Sequence, residues 1–165
     1  APRSAVSPSI TRARREPFGA WIRLGDDTLV AAVHRRADRL GLPPATFPPG
    51  HVSAPLEVHV AVTARCPVDC SGCYQSATTD GAHVPLTQLR KTLRELHASG
   101  VFTVAFGGGE PLLRDDLGEL ADEARSLGLT PVVTTSGYGL TPARARALRS
   151  FAARNSPTSR TLSSI

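Results

Sequence analysis

The larger part of the chain alternates short apolar segments with longer amphipathic ones. Residues 56–63 (LEVHVAVT) place a valine at every second position, which is typical of a β-strand. Residues 101–106 (VFTVAF) and 131–137 (PVVTTSG) are also short and rich in β-branched side chains, so each predicts a further strand. Glycines follow both of these strands. The pattern therefore predicts three strands, each ending in a loop.

Amphipathic segments that follow each strand predict helices. Residues 87–98 carry leucines at helical spacing, and residues 115–127 begin with two aspartates that suit the positive end of a helix dipole. Thr141 is a favourable N-cap, with Pro142 at the first position of a third helix. The predicted order is βαβαβα, which calls for an α/β fold with parallel strands joined by right-handed crossovers.

The first third of the chain follows a different pattern. Residues 1–16 are rich in Ser, Pro and Arg without periodicity, which predicts a disordered lead. Residues 17–42 predict a small N-terminal module, a β-hairpin whose turn contains Gly25, followed by a short helix over residues 31–40. Trp21 in this module has two interpretations, as the core of a small β unit or as part of a sheet that recruits a peptide.

The remaining boundaries follow from composition. Prolines are frequent over residues 43–55, which predicts a stiff linker between the module and the main domain at residues 56–154. After residue 154 the sequence becomes polar and rich in turn-forming residues, where the alternation of strands and helices calls for another apolar strand. Residues 155–165 therefore predict an irregular tail. A truncation, or a tail translated from a shifted reading frame, would explain this change, and we expect the chain to be a fragment of a longer protein.

Composition and charge exclude several classes of function. The chain has 165 residues and a net charge of +5, but Lys91 is the only lysine and aromatic residues make up only 5%. Scattered arginines with few stacking aromatics argue against nucleic-acid binding. No segment approaches the roughly 20 apolar residues of a membrane span, and no apolar signal region follows the first arginines. Together with clustered cysteines, this predicts a cytoplasmic protein.

The three cysteines of the chain form the motif C-x3-C-x2-C at Cys66, Cys70 and Cys73. Three thiolates are one ligand short of a closed tetrahedral site, but they can occupy three corners of a cubane iron–sulfur cluster and leave the fourth iron open. A structural zinc site is an alternative, since a histidine could supply the fourth ligand. The candidate histidines are His51, His59 and His83. A disulfide, or a set of inert buried thiols, would also be consistent with the motif.

A glycine-rich motif, GGGEP at residues 107–111, follows the second predicted strand. Consecutive glycines let a backbone approach a ligand closely, and Glu110 adds a negative charge at the same edge of the sheet. The alternative is a strand-to-helix turn that binds nothing. Because both motifs follow parallel strands, we expect them to meet at the carboxyl edge of the sheet.

The two motifs, in this order, resemble the radical S-adenosylmethionine family. The resemblance implies that the three cysteines hold a [4Fe–4S] cluster, whose fourth iron is chelated by the amino and carboxylate groups of S-adenosylmethionine. It also implies that Gly108, Gly109 and Glu110 contact the amino group and that Tyr74 lies near the adenine. Gly107 departs from the family pattern, which often has Thr or Ser there.

The resemblance extends to the end of the third strand, where Thr135 and Ser136 stand in a segment that the family often writes TTNG. Both are therefore expected to contribute to cofactor binding, with Ser136 in place of Asn. The implied fold is a partial (β/α)6 barrel similar to a TIM barrel, of which this chain would supply the first three βα units.

The resemblance also implies a reaction and its partners. An electron from the cluster would cleave S-adenosylmethionine to methionine and a 5′-deoxyadenosyl radical, which abstracts hydrogen from substrate. We expect a flavodoxin- or ferredoxin-like electron donor and a substrate in peptide or cofactor maturation. The residues present include no evident catalytic acid or base. The alternatives are a small zinc-stabilised interaction domain and a non-functional remnant of the family.

Overall fold

A computed structural model of the protein describes residues 9–25, 27–44, 48 and 50–146. The chain separates into two compact units, and the division lies between Ser53 and Ala54. None of the helices in this described part is long and apolar enough to cross a membrane.

The first unit is a three-stranded antiparallel sheet with one helix. Its strands are β1 (Ile10–Glu16), β2 (Gly19–Leu24) and β3 (Leu29–Val33), paired in the order β1-β2-β3. Helix α1 (His34–Arg39) packs on the face of the sheet that carries Ala20 and Ile22 of β2. The fully buried residues of this small core are Ala20, Ile22 and Ala37.

The predicted disordered lead is wrong for residues 10–16, which form β1. Arg12, Arg14 and Arg15 obscure the strand pattern in the sequence, but an edge strand needs only backbone pairing with its neighbour. Glu16 at the end of β1 is fully buried and accepts hydrogen bonds from the backbone N–H (2.8 Å) and hydroxyl (2.9 Å) of Ser53. Residues 1–8 lie outside the described part of the chain.

The helix predicted over residues 31–40 is shorter in the structure. Ala31, Ala32 and Val33 pair with β2 and belong to β3, so α1 begins only at His34. In this unit the ring of Trp21 meets that of Phe18 edge to face, with centroids 5.7 Å apart. This contact agrees with the interpretation of Trp21 as a packing residue.

The second unit is α/β with a parallel sheet, as the sequence predicts. Its strands are β4 (Glu57–Thr63), β5 (Thr103–Gly108) and β6 (Thr130–Val133), in the order β4-β5-β6. Helix α2 (Leu86–Ala98) connects the first pair of strands, and α3 (Leu117–Ser126) connects the second pair. Each boundary lies within a few residues of the one that the pattern predicts.

The helices cover one face of the parallel sheet. Val60, Phe106 and Val133 are side by side in register on that face, where they pack with leucines of α2 and α3. The opposite face carries exposed side chains within the described residues, among them Val132, which is 45% exposed. Alternate residues of β4 and β6 thus divide between a buried core and an open face, whereas Ala105 of the central strand is buried although it lies beside Val132 on the second face.

The third predicted helix is described only at its beginning. Residues 142–146 are helical, and the hydroxyl of Thr141 accepts a hydrogen bond from the backbone N–H of Arg144 at 3.1 Å, as an N-cap does. The rest of that helix and the predicted tail at residues 155–165 lie outside the described residues.

Arg114 is a buried cation that joins three segments of the second unit. Its Nη1 donates to the backbone carbonyls of Val62 and Val84, both at 2.8 Å. Its Nε and Nη2 form a paired contact with the carboxylate of Asp116 at 2.9 and 2.8 Å. The side chain therefore ties the end of β4 to the segment before α2 and to the start of α3.

We expect Arg114→Met to lower the free energy of unfolding by about 3 kcal/mol, because it takes a charged donor from the Val84 carbonyl and the Asp116 carboxylate and one of two donors from the Val62 carbonyl. Arg94→Met is the matched control, since Arg94 is 57% exposed and should change stability by less than about 0.5 kcal/mol. Urea unfolding followed by circular dichroism measures both. Equal effects of the two substitutions would contradict this role for Arg114.

Candidate functional site

The three predicted motifs follow the three parallel strands and meet at one edge of the sheet. The cysteine loop follows β4, the glycine motif closes β5, and Thr135 and Ser136 follow β6. Parallel strands present their carboxyl ends at the same edge, where α/β proteins commonly bind ligands. Backbone hydrogen bonds connect the first motif to the second, and the Glu110 carboxylate connects the second to the third.

The cysteine loop is closed at its base by backbone hydrogen bonds. The N–H of Cys66 donates to the carbonyl of Thr78 at 2.8 Å, and the N–H of Thr78 donates to Ala64 at 3.0 Å. The chain then returns beside β4, where the N–H of Ala64 donates to Ala82 at 2.9 Å. A Cβ on Gly81 would lie 2.1 Å from the Ala64 carbonyl oxygen, so only glycine fits there.

A histidine holds the same return segment. Nδ1 of His83 lies 2.7 Å from Oγ1 of Thr63, which also accepts the backbone N–H of Arg65 at 3.0 Å. Burial, followed by the nearby charges of Arg114 and Arg65, lowers the pKa of His83. A neutral His83 therefore pairs with Thr63 near neutral pH.

Three left-handed residues shape the interior of the cysteine loop. Asp69 and Ser76 both have φ of 48°, and Gly72 has φ of 74°. These turns allow the N–H of Cys73 to donate to the carbonyl of Cys70 at 3.2 Å. Cys70 is exposed, Cys66 and Cys73 are partly exposed, and none of the three forms a disulfide. A disulfide and fully buried thiols are thus both excluded in this structure.

The environment of Cys73 favours the thiolate. Backbone N–H groups of Ala77 and Gln75, with a smaller contribution from Ser76, donate to its sulfur and lower its pKa. Among the described residues, no group of three or more His, Cys, Asp or Glu is arranged to hold a single metal ion. Three accessible thiols on one loop fit a cubane cluster, which needs thiolates spread over three corners.

The glycine motif packs directly on the base of the cysteine loop. The N–H groups of Gly109 and Glu110 donate to the carbonyls of Thr63 and Arg65, each at 2.8 Å. A Cβ on Gly109 would lie 2.3 Å from the Arg65 carbonyl oxygen and 3.1 Å from the Cβ of Cys66. The absence of a side chain is therefore what lets the end of β5 contact the cysteine loop.

Gly108 meets a similar constraint, and Gly107 does not. Gly108 has φ of 106°, and a Cβ there would lie 2.4 Å from the carbonyl oxygen of Thr63. At Gly107 the nearest atom to a new Cβ is the Cβ of Thr134 at 3.9 Å, an ordinary van der Waals contact. Two of the three consecutive glycines are thus required by the fold itself.

Glu110 is fully buried and its carboxylate accepts four hydrogen bonds. Oε1 accepts from the backbone N–H of Leu112 at 2.9 Å and from the hydroxyl of Thr135 at 2.6 Å. Oε2 accepts from both the backbone N–H and the hydroxyl of Ser136, at 2.9 and 2.6 Å. The carboxylate therefore joins the glycine motif of β5 to the segment that follows β6.

Burial raises the pKa of Glu110, but the hydrogen bonds from Ser136, Thr135 and Leu112 outweigh it, and the net pKa is lowered. Glu110 is consequently ionised near neutral pH. It is satisfied by donors from its own chain, so contact between its carboxylate and a ligand stays a prediction.

The structure brings most of the predicted residues together. The N–H of Glu110 donates to the carbonyl of Arg65, next to Cys66, and the Glu110 carboxylate accepts from Thr135 and Ser136. Tyr74 is 82% exposed, and its proximity to adenine stays a prediction. Reasoning from the sequence missed the residues that close the cysteine loop. Of these, only Gly81 leaves a recognisable signal, because it follows Asp80 as an Asp-Gly turn.

Comparison with known proteins decides the family. The model of the Radical SAM superfamily matches residues 60–155 of this chain. The chain belongs to the radical SAM superfamily. The match covers more than half of the chain and includes both the cysteine motif and the glycine motif. The cofactors that membership implies are a [4Fe–4S] cluster and S-adenosylmethionine, and the cysteine loop of this radical SAM chain has the donor set for such a cluster.

A relative in Streptomyces rochei is a PqqA peptide cyclase, 38% identical over 99 residues, which are 59% of this chain and 27% of that protein. Crystal structures of Streptococcus suis SuiB share the fold. The structure bound to S-adenosylmethionine has a TM-score of 0.60 at 17% identity, covering 89% of this chain and 45% of that one. The structure bound to the precursor peptide SuiA has a TM-score of 0.61 at 15% identity, covering 90% of this chain and 46% of that one. The radical SAM chain thus spans less than half the length of these proteins.

We expect Gly109→Ala to displace the cysteine loop, because the new methyl group cannot coexist with the Arg65 carbonyl. The substitution should cost about 2 kcal/mol of stability and lower the iron retained after reconstitution by at least half. Gly107→Ala is the matched control and should keep both close to the unsubstituted values. Thermal unfolding and iron analysis provide the measurements. Full iron retention in Gly109→Ala would refute the packing argument.

The lowered pKa of Glu110 predicts a pH-dependent stability. Its ionised form is favoured by the fold, so its contribution is present above the unfolded carboxyl pKa of about 4.3 and is lost as pH falls through the folded pKa. The side chain of Glu110→Gln has one acceptor oxygen, so it cannot accept from the backbone N–H groups of both Leu112 and Ser136. The substitution should therefore destabilise the protein most near pH 7. The difference from the unsubstituted protein should shrink below about pH 4.

Urea unfolding between pH 3 and pH 7 tests this expectation for Glu110. Glu95→Gln provides the control, since Glu95 has a side chain that is 63% exposed and pairs only with Lys91 among the described ion pairs. A destabilisation by Glu110→Gln that stays constant over the whole pH range would show that its charge is not the source of the effect.

Proposed function

We propose that this chain forms the part of a radical SAM enzyme that binds the [4Fe–4S] cluster and S-adenosylmethionine. The observation that carries the proposal is the direct packing of Gly109 on the Cys66 loop, where a Cβ on the glycine would lie 3.1 Å from the Cβ of that cysteine. A thiolate loop and a backbone segment suited to ligand contact are thereby placed side by side. The family match over residues 60–155 supports the same assignment.

The roles of the individual residues follow from their positions. Cys66, Cys70 and Cys73 would hold three irons, and the fourth iron would stay open to S-adenosylmethionine. When bound, the cluster would supply the electron that splits S-adenosylmethionine into methionine and a 5′-deoxyadenosyl radical, which would abstract hydrogen from the substrate. Gly108 and Gly109 present backbone to the cofactor, and Glu110 keeps the third strand end in place. Tyr74 and the segment after β6, which includes Thr135 and Ser136, complete the proposed cofactor site.

We propose a peptide as the substrate. The PqqA peptide cyclase relative is named for its peptide, and the SuiB structure contains the precursor peptide SuiA. The complete enzyme would act in the cytoplasm with a flavodoxin- or ferredoxin-like electron donor. Its partial (β/α)6 barrel would begin with the three βα units of this chain, and later strands would pair with the open edge of β6.

Anaerobic reconstitution with iron and sulfide tests the proposed cluster. We expect a brown protein with about four irons per chain, and loss of the cluster on changing Cys66, Cys70 or Cys73 to Ala. Ser71→Ala provides a control in the same loop, since its side chain is not a cluster ligand and should leave the iron content unchanged. A colourless protein that retains one zinc would instead establish a zinc-stabilised domain.

A further inference from the structure

Three consecutive hydroxyl side chains follow β6, at Thr134, Thr135 and Ser136. We propose that Thr134 is the one that hydrogen-bonds the bound S-adenosylmethionine, at its amino-acid end. This inference rests on the proposed function. It reassigns the ligand contact at the end of β6 from Thr135 and Ser136 to their neighbour.

The hydroxyl protons of Thr135 and Ser136 are already used within the chain. Each hydroxyl has a single proton, and both protons are donated to Glu110 at 2.6 Å. Their oxygens also accept the backbone N–H groups of Gly137 at 2.9 Å and Tyr138 at 3.3 Å. Contact with an acceptor of the ligand would break a charge-assisted hydrogen bond of a buried carboxylate, which is costly.

The hydroxyl of Thr134 makes no hydrogen bond within residues 50–146 or the other described segments. Its backbone N–H donates to the carbonyl of Phe106 at 2.9 Å, which places Thr134 beside Gly107. The Thr134 side chain is exposed. It therefore has a proton to donate and a lone pair to accept with.

Register places Thr134 on the open face of the sheet. Phe106 pairs with Val133, and both belong to the core beneath the helices. The next residues along these strands, Gly107 and Thr134, must therefore point to the opposite face, in line with Ala61 of β4. This row lies at the carboxyl edge, beside the glycine motif that packs on the cysteine loop. The proposed cofactor site and this row therefore share one edge of the sheet.

The chemistry suits the amino-acid end of S-adenosylmethionine. That end carries a carboxylate, which accepts hydrogen bonds, and an amino group, which donates them. A hydroxyl can serve either group, and Gly107 has no side chain to block the approach from the neighbouring strand. A Cβ built on Gly107 would lie 3.9 Å from the Cβ of Thr134, so the space left by the glycine is next to the exposed Thr134 hydroxyl.

Binding of S-adenosylmethionine to the reconstituted protein tests the role of Thr134. Thr134→Val removes the hydroxyl at nearly constant volume and should raise the Kd for S-adenosylmethionine about tenfold, as expected for one hydrogen bond to a charged group. Thr134→Ser keeps the hydroxyl and should bind like the unsubstituted protein. Iron content and the thermal unfolding midpoint should be equal in all three, which separates ligand contact from a structural effect.

A second substitution tests the location of the contact. Gly107→Ser combined with Thr134→Val places a hydroxyl on the adjacent strand, and we expect it to recover at least part of the lost affinity. An unchanged Kd in Thr134→Val, an equal loss in Thr134→Ser, or no recovery in the double variant would each overturn the inference. An unsubstituted protein that binds neither iron nor S-adenosylmethionine would overturn the proposed function instead.

Discussion

The buried carboxylate of Glu110 is the interaction on which the arrangement of the site depends. Taking a charge out of water is expensive unless donors replace the lost hydration, and here four donors do so. Two of them are backbone N–H groups, of Leu112 and Ser136, which cannot reorient or be replaced by a change of side chain. The end of β5 and the segment after β6 are consequently held in one geometry, with the hydroxyls of Thr135 and Ser136 turned toward the carboxylate.

Close backbone contact provides the second constraint. Gly109 and Gly81 each lie where a Cβ would overlap a carbonyl of the segment leading into the cysteine loop. Gly109 brings the end of β5 against one side of the loop, and Gly81 lets the returning chain close the loop on its other side. The three thiols are thus supported on both sides by the main chain, while their sulfur atoms stay accessible. Such support suits the proposed role of these thiols, which would hold a cluster without enclosing it.

Success in reading the fold from the sequence differed between the two units for a physical reason. In the second unit each strand has one face in the core, so alternation such as that of residues 56–63 is visible and the parallel α/β order was correctly predicted. In the first unit β1 lies at a sheet edge, and its arginines contribute no apolar side chain to the core. Its stability comes from pairing with β2, a long-range interaction that residues 10–16 do not encode locally.

The sequence by itself determined the class of fold, the family and the three cysteines proposed as cluster ligands, because motif spacing and strand periodicity are local properties of the chain. Only the tertiary structure decided how those residues are used. It showed that the Glu110 carboxylate accepts hydrogen bonds from Thr135 and Ser136. It also showed that the Thr134 hydroxyl has no hydrogen-bond partner among the described residues, and that Gly81 lets the cysteine loop close. Hydrogen bonds and contact distances between segments depend on which residues become neighbours across strands, and local sequence carries little information about that.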